Sequence, residues 1–316
     1  MSTLYYLVGI PASGKTTWAK NIKDTIDGIH ISSDDLRVEL YGDVNNQEHN
    51  SELFQIMNKR TKELLKKGLR VIYDATNINS RRRTAFLNEI NRIDCKKVCI
   101  YFATSINSCD DNDSERDRQV GFDVIDKMYR NLQIPMYHEG WDDIRIIGNK
   151  KTNSSYKLNL NEINNYDDYI KVLDNVITKQ CINYPQDSQW HTLSVSRHMY
   201  YAYKYIKEIN GSNDNLIIAS MLHDIGKPYC KQFKEGSKYA NFYNHENVSS
   251  QLAVRYLLKS GFNDSDIINI ATYIQLHMKI LNIGDNIKAK EKLIKNIGLK
   301  LYKDLELLRN ADISAK

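Results

Sequence analysis

Two short runs of residues carry chemistry that can be read straight from this chain. The first is Gly9-Ile10-Pro11-Ala12-Ser13-Gly14-Lys15-Thr16-Thr17, which fulfils the spacing G-x4-G-K-[S/T]. Glycines so placed let backbone N–H groups converge on phosphate oxygens, and a helix that starts there adds the positive end of its dipole. Lys15 is placed to reach the β and γ phosphates of ATP, and the Thr16 hydroxyl to bind Mg²⁺. Gly9, Ser13, Gly14, Lys15, Thr16 and Thr17 therefore read as a nucleotide cradle. The second run is His223-Asp224-Ile225-Gly226-Lys227. Adjacent His and Asp offer a nitrogen and an oxygen ligand on one turn, which suits a divalent metal. His245, His277 and Asp312 follow as further candidate ligands, and Lys227 could neutralise a phosphate oxygen. The cradle implies transfer of a phosphoryl group and the second run its removal. A substrate with two phosphorylatable ends would explain why both lie on one chain.

The first ligand of the second site is open between His191 and His198. Gly211 to Asp214 reads as a turn between antiparallel helices. At about 1.5 Å of rise per residue, His198 is offset from His223 by roughly 6 Å and His191 by roughly 16 Å. That arithmetic favours His198.

The elements that must hold these residues alternate in the first half. Residues 3–8 form an apolar strand before the cradle, and a helix follows from Thr16 to about Ile26. Residues 29–32 and 70–74 read as further short strands. A helical stretch from Ser51 to Lys67 lies between them, stopped by Gly68. Arg81 to Ile93 is helical, 97–102 is a fourth strand, and Ile144–Ile147 closes the unit. Such alternation predicts a parallel sheet with flanking helices. Ser32-Ser33-Asp34-Asp35-Leu36-Arg37 follows the second strand, so its carboxylates fall at the carboxyl edge, where ligands bind. One of the two Asp is placed to take a proton from an acceptor hydroxyl, the other to cap a helix. Asp74 and Asn77 end the third strand at the same edge. Arg116 and Arg118 lie in the polar stretch Asp110–Gln119, which could close as a lid. Beyond an Asn-, Lys- and Ser-rich linker, long helical patterns replace strands. The organisation is an α/β unit over 1–150, a linker over 151–167 and an all-α unit over 168–316.

Composition bounds the class. The chain has 316 residues, 41% hydrophobic and 26% charged, with a net charge of +5. This is ordinary globular composition, and its mild basicity permits nucleic-acid binding without demonstrating it. Five cysteines without CxxC spacing fit free thiols in a reducing, cytoplasmic compartment. The first residues lack a basic leader, and their apolar run is too short to cross a membrane. Of 21 tyrosines, Tyr200, Tyr201, Tyr203 and Tyr205 cannot share one helix face, so part of this cluster must meet solvent or a partner such as a stacked base.

GxxxxGKTT, then SDDLR, a long helix, and V-I-x-D-A-T-N-x-N-x-x-x-R resemble the polynucleotide 5′-kinase family of P-loop phosphotransferases over residues 3–147. The resemblance implies that Asp34 is the general base, that Arg37 contacts the acceptor's phosphate, and that Arg116 is the lid arginine, with Arg118 the alternative. Asn112 stands where that family often has a further arginine. The order H…HD…H…H…D resembles the HD phosphohydrolase superfamily over residues 168–316. Many members write their first ligand as His191-Thr192-Leu193 is written here, and on that ground His191 is preferred, with His198 kept open. The resemblance implies two divalent metals (Mn²⁺, Mg²⁺ or another transition metal) bridged by Asp224. The first His, His223 and Asp312 would complete one site, and His245 and His277 the other.

Together these imply an enzyme that heals broken nucleic acid, RNA before DNA. It would phosphorylate a 5′-hydroxyl with ATP and clear a 3′-phosphate or 2′,3′-cyclic phosphate. No KxDG motif is present, so sealing would need a separate RNA ligase. Two other readings are a nucleoside or nucleotide kinase fused to an HD nucleotide phosphohydrolase, and a nucleotide-gated binding module with a structural metal. The intact Lys15, Asp34 and ligand set argue against the last.

Overall fold

The computed structural model describes residues 1–148, 158, 160–209, 213–284 and 286–315. Much of the expected linker, and Gly211 and Ser212 of the turn expected at Gly211–Asp214, lie outside the described residues. The chain divides into two compact units, Met1–Gly148 and Asn149–Lys316.

The first unit opens with β1 (Thr3–Val8), the cradle and α1 (Lys15–Lys23), followed by β2 (Gly28–Ser32) and α2 (Ser33–Tyr41). Next come α3 (Asn50–Lys66), β3 (Arg70–Asp74), α4 (Ser80–Glu89) and β4 (Lys96–Phe102). Helices α5 (Ile106–Ser114) and α6 (Phe122–Asn131) precede the last strand, β5 (Asp143–Ile147). The five strands run in the order β2-β3-β1-β4-β5, and every neighbouring pair is parallel. Side chains alternate across a strand, so the sheet buries two faces. Leu7, Ile72, Val98 and Ile100 pack with Ala19 of α1 on one. Tyr6, Tyr73, Phe86 and Trp141 gather on the other, with the Tyr6 and Tyr73 rings stacked at 4.6 Å. The order places β1, and hence the cradle, at the centre of the sheet.

The second unit is helical: α7 (Tyr166–Leu173), α8 (Val195–Glu208), α9 (Asp214–Leu222) and the short α10 (Lys227–Cys230) come first. Then follow α11 (His245–Lys259), α12 (Asp264–Ile283), α13 (Ile287–Ile297) and α14 (Leu299–Ser314). Every residue of α9 from Leu216 to Leu222 is buried, as a helix apolar all round must be. Strands do not vanish altogether here: β6 (Gln232–Phe233) and β7 (Ala240–Asn241) form an antiparallel hairpin. Two-residue strands are too short to show alternation in a sequence. The tyrosine cluster splits as helical periodicity demands, with Tyr203 in the core at 2% exposure and Tyr201 at the surface at 43%. All five cysteines are buried, and none is in a disulfide. Among the described residues no helix is long and apolar enough to cross a membrane.

Candidate active sites

The cradle joins β1 to α1. Gly14 has φ +94°, a conformation that costs a side chain strain, and it turns the chain so that α1 begins at Lys15. Lys15 is buried, its Nζ 2.7 Å from the Ile10 carbonyl oxygen and 3.3 Å from Ser13 Oγ. Burial lowers its pKa to about 8, against the opposing pull of Asp74. Thr16 Oγ1 donates to Asp74 Oδ2 at 2.8 Å, and His30 Nε2 lies 3.1 Å from the same oxygen. A hydroxyl and a carboxylate side by side at the strand ends could hold Mg²⁺ against nucleotide phosphates. Asn77 donates to the Leu7 carbonyl at 2.6 Å and accepts from Tyr6 Oη, so it braces β1 against the turn after β3.

Asp34 sits in the first turn of α2, exposed, its Oδ1 accepting from Arg37 Nη1 at 2.8 Å. The helix cap is neither Asp34 nor Asp35, against expectation. Ser32 Oγ accepts from both of their amides, which leaves the two carboxylates at the positive end of the helix dipole. The lid stretch is partly ordered as α5, and Asn112 Nδ2 donates to the cradle's Ala12 carbonyl at 2.9 Å. Arg118 Nη1 stands 3.6 Å from Asp34 Oδ2. Arg116, 3.9 Å from Asp113, is near enough to Lys15 to act on its charge. Thr17 is exposed on α1. Beside this edge lies a cavity of about 530 Å³ lined by Asn50, Phe54, Tyr73, Asn77, Asn79 and Arg82. Asn50 also accepts from Arg37 Nη2 at 2.8 Å. Below it, Arg83 and Glu139 form an ion pair of 2.6 Å at 0% and 1% exposure, and Arg83 also donates to the Asn77 carbonyl.

In the second unit, ligand atoms of His198, His223, Asp224 and Asp312 all lie within 4.8 Å of one another, as do those of Asp224, His245 and His277. Asp224 belongs to both groups. Each imidazole has its Nδ1 against a backbone carbonyl: His198 on Ala315 at 2.6 Å, His223 on Ser220 at 2.9 Å, His245 on Phe242 at 2.7 Å and His277 on Ile274 at 2.7 Å. Those carbonyls accept only, so each Nδ1 carries a hydrogen and each Nε2 is the nitrogen turned toward the cluster. The Nε2 atoms face each other in pairs, 3.1 Å apart for His198 and His223 and 3.2 Å for His245 and His277. Asp224 is 1% exposed, with Lys227 Nζ 2.6 Å, His245 Nε2 3.1 Å and His198 Nε2 3.3 Å from its oxygens. Four converging imidazole Nε2 atoms and the carboxylates of Asp224 and Asp312 form a donor set that fits divalent cations.

The electrostatics agree. Burial opposes ionisation of Asp224, yet Lys227 and His223 hold its carboxyl well below the usual range. Asp312 is likewise held low, burial being outweighed by His198 and His223. Burial also pushes His198 down, but Asp224 and Asp312 prevail and lift it to about 9. The negative potential that draws a proton there would draw a metal. Burial carries His277 to about 3 and His191 to about 4.

The sequence residue left outside this cluster is His191. The Ser194 hydroxyl caps α8 by accepting from the Arg197 amide, so the helix starts at Val195 and carries His198 on its first turn toward α9. His191 remains in the preceding loop, its ring 4.8 Å from that of His198. The resemblance that preferred His191 thus selected the residue beside the cluster, because one line of sequence does not show where α8 begins. Gly226 is required for a different reason: a Cβ there would meet the Ser249 amide nitrogen at 2.6 Å, so only glycine lets the His-Asp turn rest on α11 beside His245. Sequence reasoning also missed His30, Asn50 and Gln186, whose Oε1 accepts from Lys227 Nζ at 2.7 Å. For His30 a signal existed, a polar residue two places before the end of a short strand that leads to the ligand edge.

Residues 4–135 match the family model of an AAA domain, and residues 191–311 that of an HD domain. No curated protein matches the chain. Among solved structures it is similar to a kinase-like protein from Chloroflexus aurantiacus, at 13% identity and TM-score 0.40 over 46% of this chain and 87% of that one. It is also similar to a gluconokinase from Sinorhizobium meliloti, at 12% and 0.35 over 46% and 81%. A third is a fungal RNA kinase, at 17% and 0.37 over 49% of this chain and 40% of that one. With a parallel sheet behind the phosphate cradle and a helical unit around the His-Asp cluster, this chain joins an N-terminal kinase-like P-loop domain to a C-terminal HD domain.

Proposed function

We propose that the chain is a bifunctional end-healing enzyme acting on broken nucleic acid, RNA before DNA. The observation that carries this is the presence on one chain of a phosphate cradle with a carboxylate at its acceptor side and a shared-carboxylate donor cluster suited to phosphoester hydrolysis. Cleavage of RNA through its 2′-hydroxyl leaves a 2′,3′-cyclic phosphate on one fragment and a 5′-hydroxyl on the other, and these two sites would repair both.

In the kinase domain, Lys15 and the cradle amides would hold the β and γ phosphates, and Thr16 with Asp74 would hold Mg²⁺. Asp34 takes the proton of the 5′-hydroxyl as its oxygen bonds to the γ-phosphorus, and ADP leaves. Arg37, braced by Asn50, positions the acceptor's phosphate, and the adjoining cavity seats its nucleoside. Arg116 and Arg118 lie on the segment that would close over the transfer.

In the HD domain, His198, His223, Asp224 and Asp312 would hold one divalent cation, and Asp224, His245 and His277 a second. Such a pair stabilises charge on the attacking and departing oxygens of a phosphoester. Lys227 is placed to bind a phosphate oxygen. Water bonds to phosphorus as the P–O bond to the departing ribose oxygen breaks, which opens the cyclic ester or releases inorganic phosphate, and the water's proton passes to the departing oxygen.

The test is mass spectrometry of a short RNA with a 5′-hydroxyl and a 2′,3′-cyclic phosphate, incubated with the protein, ATP, Mg²⁺ and Mn²⁺. Phosphate should be gained at the 5′ end and the cyclic phosphate opened or removed, with Lys15→Ala and Asp224→Ala each abolishing one half. No change at either end while ATP is still hydrolysed would leave the small-nucleotide reading in its place.

A further inference from the structure

The HD cluster lies at the floor of a cavity of about 670 Å³ whose lining includes Asp224, His245, His277 and Asp312. Its mouth is formed by the loop before α8 and by the β6–β7 hairpin, and the two are bonded to each other. The Ala240 amide donates to the Asp187 carbonyl at 2.8 Å, and Lys231 Nζ reaches the Pro185 carbonyl at 2.7 Å. The loop is also tied to the floor, since Lys227 spans from Gln186 to Asp224. This rim is therefore held in place relative to the cluster.

Three of its lining residues are aromatic and open to water: Trp190 at 67% exposure, Tyr243 at 56% and Tyr239 at 39%. Single exposed aromatics are common on protein surfaces, but three around one polar cavity form a cluster, in which Lys238 Nζ lies 5.1 Å from the Tyr239 ring. Lys234 lines the same cavity, its Nζ 6.0 Å from the Tyr243 ring. A phosphate ester without a base would use the floor and leave these rings in water. A nucleotide would use both, with its phosphoester at the floor, its base on a ring, and the next backbone phosphate near a lysine.

We propose that Trp190, Tyr239 and Tyr243 form a stacking platform for the nucleobase of the nucleotide that carries the phosphoester, with Lys234 serving the adjoining phosphate of a strand. This rests on the end-healing reading and specifies how its HD domain selects a substrate. A strand end and a free nucleotide share the base-and-phosphoester chemistry; Lys234 favours the strand end.

The experiment compares kcat/KM for two RNA oligonucleotides with the same 3′-phosphorylated terminus, one with adenine at the last nucleotide and one abasic there. The wild type should prefer the adenine end by about 5- to 150-fold, the range that stacking of one base supports. Trp190→Ala should lose most of that preference and Trp190→Phe should keep it. Equal rates on both ends in the wild type, or an equal fall on both in Trp190→Ala, would overturn the platform. Adenosine 3′-phosphate is the third substrate: turnover as efficient as that of the oligonucleotide would overturn the strand end as the source, and with it the role of Lys234. Hydrolysis of glycerol 3-phosphate with none of any RNA would show an active HD domain and overturn both this inference and the polynucleotide reading.

Discussion

Asp224→Asn separates the two roles of the shared carboxylate. The change keeps shape and removes one charge from a site where Asp224 is 1% and Lys227 6% exposed, 2.6 Å apart. Removing one partner of a buried ion pair costs about 3–5 kcal/mol, because the remaining charge is stranded. Gln186 still accepts from Lys227, and His198 still has Asp312, so the lower figure of about 3 kcal/mol applies. For a unit the size of Asn149–Lys316 that corresponds to a melting temperature lower by about 6–12 °C. Calorimetry after EDTA treatment measures this term without metal. Asp224→Asn/Lys227→Met removes both charges and should recover most of the loss, although phosphoester hydrolysis stays absent. Adding Mn²⁺ should then raise the melting temperature of the wild type and not that of either variant. A metal-free Asp224→Asn protein melting within 2 °C of wild type, or a double variant less stable than the single one, would refute the reasoning.

Three further outcomes follow from the same geometry. His198→Ala should lower the bound-metal content measured by plasma mass spectrometry, while His191→Ala leaves it unchanged; the reverse result would exchange their assignments. Arg83→Met should cost about 4 kcal/mol in urea unfolding, since it strands Glu139 and releases the Asn77 carbonyl, and 5′-phosphorylation should fall with it. Arg116→Ala should lower the kinase kcat by about 1,000-fold or more, as loss of a charge beside the transferred phosphate does, whereas Arg118→Ala should chiefly raise the acceptor KM; equal effects on both constants in both variants would mean that neither closes over the transfer.

What could be read in advance followed from how local each constraint is. The cradle and the alternation of β1, α1, β2 and β3 were legible because G-x4-G-K-T and strand periodicity act within a dozen residues. The HD turn was legible because histidine, aspartate and glycine must each occupy a fixed place there, and the close approach of Gly226 to Ser249 shows why. Contacts between distant segments were not legible. Nothing near Arg118 in sequence announces Asp34, and nothing near Lys227 announces Gln186. The choice between His191 and His198 lay between these extremes. Local wording pointed to His191, whereas the hairpin arithmetic, which concerns how helices pair, pointed to His198, and it is the His198 Nε2 that stands 3.1 Å from that of His223. A ligand is defined by the direction of its side chain from a helix, and that direction depends on the residue where the helix starts, here the Ser194 cap. Here the spacing between paired helices, and not the local wording, located the histidine that faces His223.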